Sequence, residues 1–200
     1  VQWRGRGVVG FDIAGAEDGF PPSKHREAFD FLASRFFPTT VHAGEAAGLD
    51  SIRSALIDGR ALRLGHGVRL AEDLRVVSRE GDEVQVQFGE LARWVRDREI
   101  PLELSPSSNL QTGAIAQWGE EIEDHPFDLL YQLGFAVTVN VDNRLMSRTS
   151  LTRELQVLAE TFDYDLADLE AFQLNAAAGA FLTVEEREEL IELIAEGFER

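Results

Sequence analysis

Cysteine is absent from the 200 residues. Its absence excludes disulfides, thiolate-zinc sites and a cysteine nucleophile, and it leaves the redox compartment open. No apolar run reaches the length of a membrane span. Val1-Gln2-Trp3-Arg4 is neither a signal peptide nor a starting methionine, as expected of a cut end. The expectation is a cytoplasmic protein with no membrane partner. Positive charge is scarce where the chain is most acidic: residues 1–100 hold 14 Lys+Arg against 16 Asp+Glu, and residues 101–200 hold 5 against 20. A nucleic-acid groove needs clustered positive charge, so no nucleic-acid partner is expected, and the acidic half reads as a solvated face. No P-loop occurs, which weakens nucleotide-phosphate binding. A hydrophobic content of 44% still permits a sizeable core.

The stretch around which the rest is organised is Thr39-Thr40-Val41-His42-Ala43-Gly44-Glu45. Its β-branched run favours a strand, and the small residues after His42 permit a tight turn. Histidine and glutamate then meet at one strand end, where a neutral imidazole can bind metal and a carboxyl group can move protons. Four further strands are predicted. Val8–Ile13 should be buried, and it ends at Ala14-Gly15-Ala16-Glu17. Ala61–Leu64 ends at Gly65-His66-Gly67, Pro101–Leu104 at Ser105-Pro106-Ser107-Ser108-Asn109, and Ala136–Val141 at Asp142-Asn143. Helices are expected over 24–36, 49–58, around 86–98 and from His125-Pro126, where proline suits a first turn. Strands alternating with helices imply a parallel sheet, with polar residues gathered at the C-terminal strand ends. Both (β/α)₈ barrels and open doubly wound sheets place their sites there. After Asn143 only helices are expected, over 150–162, 165–179 and 184–198. The last should carry a Thr183/Glu186 capping box and a buried stripe of Val184, Ile191, Ile194 and Phe198.

The ordered pieces G-F-D-I-A-G-A-E at 10–17, H-A-G-E at 42–45, L-G-H-G at 64–67, S-P-S-S-N at 105–109 and V-N-V-D-N at 139–143 resemble the adenosine deaminase family of metal-dependent hydrolases. The resemblance covers nearly the whole chain. It implies an α/β fold, part of a (β/α)₈ barrel in which these motifs stand for the fourth to eighth strands, over residues 1–148, with packing helices over 149–200. It implies one catalytic zinc ion, with His42 and Asp142 as metal ligands. His66 would orient the attacking water and help deprotonate it, and Glu45 would protonate the purine ring nitrogen. Gly15 and Asn143 would contact the purine of a nucleoside substrate, and the reaction would turn adenosine or deoxyadenosine into inosine and ammonia. Adenine or AMP as substrate, or a non-catalytic α/β module, are the alternatives. Asp12 has no assigned role, and His25 and His125 are expected to be surface or capping residues.

Two departures from the family pattern bear on these expectations. Where the commoner pattern is Asp-Asp-Pro, this chain has Asp142-Asn143-Arg144. Asparagine offers an N–H₂ donor outright, whereas a carboxyl group must be protonated to donate. Arg144 and Arg148 add positive charge that suits a phosphate or a structural carboxylate. The second departure is the absence of the H-x-H pair that supplies two zinc ligands from the family's first strand. The expectation is therefore a chain that lacks the N-terminal portion of the barrel. Such a chain should be inactive alone, bind zinc weakly, and associate through open strand edges and an apolar inner face of Val, Leu and Phe. The deaminase architecture built on H-x-E and P-C-x-x-C is excluded by the lack of cysteine.

Overall fold

In the computed structural model, which describes residues 1–80 and 83–199, the chain forms seven strands. These are β1 (Phe11–Ile13), β2 (Thr39–Ala43), β3 (Arg63–His66), β4 (Leu74–Glu80), β5 (Glu83–Phe88), β6 (Leu102–Leu104) and β7 (Val137–Val139). The α-helices are α1 (Arg26–Ser34), α2 (Leu49–Ile57), α3 (Glu90–Asp97), α4 (Pro106–Thr112), α5 (Phe127–Gln132), α6 (Arg144–Ser147), α7 (Leu151–Phe162), α8 (Leu166–Ala178) and α9 (Val184–Phe198). No helix among the described residues is long and apolar enough to cross a membrane.

Five strands make one parallel sheet in the order β1-β2-β3-β6-β7. Each strand is laid down beside its predecessor and the order never reverses. A doubly wound sheet requires such a reversal, whereas the wall of a (β/α)₈ barrel does not have one. The chain is thus an arc of a barrel. The long connection between β3 and α3 contains an antiparallel hairpin, β4 with β5, that the sequence reading missed. The helix expected around 86–98 accordingly starts only at Glu90.

Strand register separates two faces. Val41, Leu64, Leu102, Leu104, Val137 and Val139 share one face and are buried in a single core. That core also takes Phe29 of α1, Ile52 and Ala55 of α2, Leu91 and Val95 of α3, Phe127 and Leu130 of α5, Leu158 of α7 and Phe172 of α8. Each fully buried side chain of this kind contributes about 1.5–3 kcal/mol. The other face carries Asp12, Thr40, His42, Arg63, Glu103 and Thr138. Arg63 Nε bonds Thr40 Oγ1 at 3.0 Å and pairs with Glu103 Oε1 at 2.9 Å. The inner face is therefore polar, not the expected layer of Val, Leu and Phe, because those residues are committed to the helix side. Burial raises the pKa of Glu103, against the opposing pull of Arg63.

The three C-terminal helices start and end within a residue of their expected positions. Thr183 and Glu186 form the capping box. The stripe of α9 is shallower than expected, since Val184 is exposed and Ile191, Ile194 and Phe198 are only half-buried. Val8 and Val9 lie outside β1, and Phe11 and Asp12 are exposed. The predicted buried strand is a short strand at the sheet's edge, where one flank has no β-partner among the described residues.

Candidate active site

Three side chains meet at the C-terminal ends of β2 and β3. His42 is the fourth residue of β2, on the polar face, and Gly65 of β3 lies directly opposite it. A Cβ on Gly65 would come within 3.1 Å of His42 Cα, so any larger residue would press the two strands apart by a few tenths of an ångström. His66 ends β3 in register with Ala43, a position that simple alternation would send to the helix side. Its φ of +65° re-aims it. The His66 ring meets the His42 ring edge-on, with centroids 4.7 Å apart. A left-handed histidine costs about 1–3 kcal/mol, a strain that persists where the surroundings over-determine it.

Glu45 lies between the two imidazoles. Its Oε2 is 3.4 Å from His42 Nε2 and 3.6 Å from His66 Nε2. Its Oε1 accepts from Thr112 Oγ1 at 3.0 Å and from Asn109 Nδ2 at 3.4 Å. Burial lowers the pKa of His66 despite the opposing charge of Glu45, and the nearby His42 adds to the lowering. Neutral His66 beside a carboxylate is a polar contact rather than an ion pair.

The turn after β2 is held by a residue that the sequence reading left without a role. Glu17, from the segment after β1, is 8% exposed and accepts from the backbone N–H groups of Gly44, Glu45, Ala46 and Ala47 and from Ser51 Oγ. Successive amides converging on one carboxylate form an anion nest. Gly44 makes the nest possible, with φ at +75° and Ile52 packed where a Cβ would stand. Burial alone would raise the pKa of Glu17. The Ser51 hydroxyl and the amides of Ala47, Gly44 and Glu45 overcome it, leaving the carboxyl group below its ordinary range.

Asn109 and His125 complete the buried wiring. Asn109, wholly buried on α4, places Nδ2 3.0 Å from His66 Nδ1 and Oδ1 3.2 Å from His125 Nε2. His125 is 3% exposed, so the expectation of a surface residue fails, while its capping role holds: Nδ1 accepts from Phe127 N–H at the start of α5. Burial pushes its pKa down to about 3. His25 is exposed and lines a pocket with Gly15, Phe20 and His42. The S-P-S-S-N motif was the available signal for Asn109. The proline after His125 drew attention to a helix start rather than to the ring behind it.

Asp142 follows β7 in a left-handed conformation, φ +47°, and its Oδ2 accepts from Ser108 Oγ at 2.6 Å. It is exposed, yet near enough for its charge to act on His66. Asn143 is also exposed and caps α6, its Oδ1 accepting from Met146 N–H at 3.1 Å. The ligating atoms of His42, Glu45 and His66 lie within 4.8 Å of one another, and Asp142 is not one of the three. Imidazole nitrogen and carboxylate oxygen are donor types that divalent metal ions take. The cluster can hold a cation, or pass a proton between carboxyl and imidazole groups.

A family model described as adenosine deaminase matches residues 1–197. The adenosine deaminase of Mycobacterium avium (strain 104) is 51% identical over 192 residues, covering 96% of this chain and 51% of the relative. That of Mycobacterium marinum is 50% identical with the same coverage. The chain thus spans about half the length of the curated relatives it matches. Among solved structures, an adenine deaminase from Arthrobacter aurescens superposes with a TM-score of 0.82 at 21% identity, over 100% of this chain and 56% of that one. A zinc-bound amidohydrolase from Burkholderia ambifaria gives 0.80 at 21% identity, over 96% and 49%. At such identities the likeness is one of fold.

Proposed function

Because the chain belongs to the adenosine deaminase family, we propose that the complete protein hydrolyses adenosine or deoxyadenosine to inosine and ammonia. The observation that carries this reading is the convergence of His42, Glu45 and His66 at adjacent strand ends, with Glu45 held between the two rings.

His42 and Asp142 would hold a single zinc ion, which when bound supplies Lewis-acid activation of water near neutral pH. Two protein ligands fall short of the usual three. The remainder would come from an H-x-H pair outside residues 1–200. Glu45 carries the proton, delivering it to the purine ring nitrogen beside the carbon under attack. Its Oε1 is fixed by Thr112 and Asn109, so Oε2 is the oxygen free for that work. His66 orients the attacking water. Gly15, lining the pocket beside His42, offers its backbone N–H to another ring nitrogen. Asn143 uses Oδ1 for its cap, which leaves the Nδ2 donor for the imidazole side of the purine.

The test is turnover of the complete, zinc-loaded protein on adenosine, adenine and AMP, followed by absorbance. Adenosine should react fastest, and preference for adenine or AMP would reassign the substrate. Loss of none of the three would overturn the reading. Residues 1–200 alone should bind zinc weakly and show no activity; robust turnover by that chain as a monomer would show that it holds a complete site.

A further inference from the structure

We propose that His125 is a positioning residue which, through the Asn109 amide, fixes the tautomer of His66 so that its N–H faces the reaction site. The two ends of this hydrogen-bond chain cannot reverse. At one end the Phe127 backbone N–H is a donor only, and it points at His125 Nδ1 from 3.0 Å. Nδ1 is therefore an acceptor, and the neutral ring carries its proton on Nε2. That N–H donates to Asn109 Oδ1, 3.2 Å away. At the other end Glu45 Oε1 is an acceptor, since any proton the carboxyl group carries sits on Oε2, and Asn109 Nδ2 approaches Oε1 at 3.4 Å. Both ends thus dictate the same amide orientation, with the carbonyl toward His125 and the N–H₂ toward the site.

The second hydrogen of that N–H₂ group is directed at His66 Nδ1, 3.0 Å away. His66 Nδ1 accepts it, so the His66 proton resides on Nε2, the nitrogen near Glu45 Oε2 and the His42 ring. A protonated Nε2 cannot ligate a metal. The wiring therefore sorts the three converging side chains, making His66 a hydrogen-bond donor to the site, suited to orienting the water and not to the expected help in deprotonating it, and leaving ligation to His42. Asn109 is wholly inaccessible and His125 nearly so, which keeps water from scrambling the order. Buried partners of this kind set imidazole tautomer and orientation.

The catalytic consequence rests on the deaminase reading, whereas the tautomer does not. Two variants separate positioning from simple helix capping. His125→Asn keeps an acceptor near Nδ1 for Phe127 N–H but loses the donor to Asn109. His125→Gln supplies an amide donor near Nε2 but gives up the cap. In the complete zinc-loaded protein, His125→Asn should lower kcat about 10–100-fold with KM and zinc content unchanged, and His125→Gln should recover most of that loss. Equal activities, or a better His125→Asn, would show that the ring is only a cap and would overturn the proposal. Nitrogen-15 shifts of the unmodified protein test the wiring without turnover. Bare Nδ1 and protonated Nε2 on both His125 and His66 support it, and protonated Nδ1 on His66 overturns it. If the protein turned over no purine, the function would fall while these shifts still decided the tautomer.

Discussion

Replacing Glu17 by alanine removes the acceptor for four backbone N–H groups and one hydroxyl in a single step. The amides of Ala46 and Ala47 are partly buried and can recover water, whereas those of Gly44 and Glu45 are enclosed. Two enclosed donors left unsatisfied at about 1–3 kcal/mol each put the loss at about 2–6 kcal/mol, toward the lower end where the turn relaxes. Glu17→Gln keeps one oxygen but turns an N–H₂ group toward the nest, and Ser51 can rotate to accept from it. Its loss should be about 2 kcal/mol. Against a typical stability of about 5–15 kcal/mol, both shifts are large enough to read from urea midpoints at constant slope. The pH dependence has a definite sign. The folded pKa of Glu17 lies below its ordinary 4.5, so its contribution is complete above the unfolded value and is lost as pH falls through the folded one. The gap between the parent and Glu17→Gln should therefore close in acid. A Glu17→Ala variant within about 0.5 kcal/mol of the parent would refute the nest as an organiser of the Glu45 turn.

In the complete enzyme Glu45→Gln should abolish turnover while zinc stays bound, because the amide keeps the shape but cannot supply the proton; near-normal turnover in a folded, metal-loaded variant would remove Glu45 from that role. Asn143→Ala should weaken purine binding by about 1–3 kcal/mol and also destabilise α6 by about 1 kcal/mol through loss of its cap. Asn143→Asp should retain the cap and part of the activity, and equal processing of adenosine and its 7-deaza analogue by the unmutated enzyme would rule out the ring contact. Burial holds His125 at about 3 against an ordinary 6.5. The stability it lends is therefore full above 6.5 and declines toward pH 3, approaching about 1.4 kcal/mol per unit. His125→Gln should remove that part of the acid slope, and identical slopes in urea titrations at several pH values would show that the ring is not buried neutral.

The strand ends were legible because each motif combines a β-branched or aliphatic run with small and polar residues at its C-terminal end. His42, Glu45 and His66 meet as the motifs implied, since β2 and β3 are adjacent and in register. The hairpin of β4 and β5 was not legible: Glu83–Phe88 alternates polar residues with valine, but it lies between two strands of another sheet and was read as connection and the start of a helix. The inner face was misjudged because a barrel strand shows one face to helices and one to its own interior. Thr40, Arg63, Glu103 and Thr138 are the sparse polar alternates in otherwise apolar runs. Glu17 and His125 escaped notice because their importance comes from partners distant in sequence: Glu17 acts on residues 44–51, and His125 acts on Asn109.

The strand order also has a kinetic reading. Every pairing in the parallel sheet joins consecutive barrel strands, so each closes one loop. The loop between Thr40 and Arg63 is the shortest, and that between Leu64 and Leu102 the longest. Closure entropy separates these two by roughly half a kcal/mol. The pairing of β2 with β3 is thus favoured as the first non-local contact, supported by α2, whose Ile52 is fully buried over the turn between them. That same pairing sets Ala43 against His66 and brings His42 opposite Gly65. The place where the chain would begin to condense is the place where its imidazole rings are set in register, so the chemistry of the site would be laid out before the rest of the arc has closed around it.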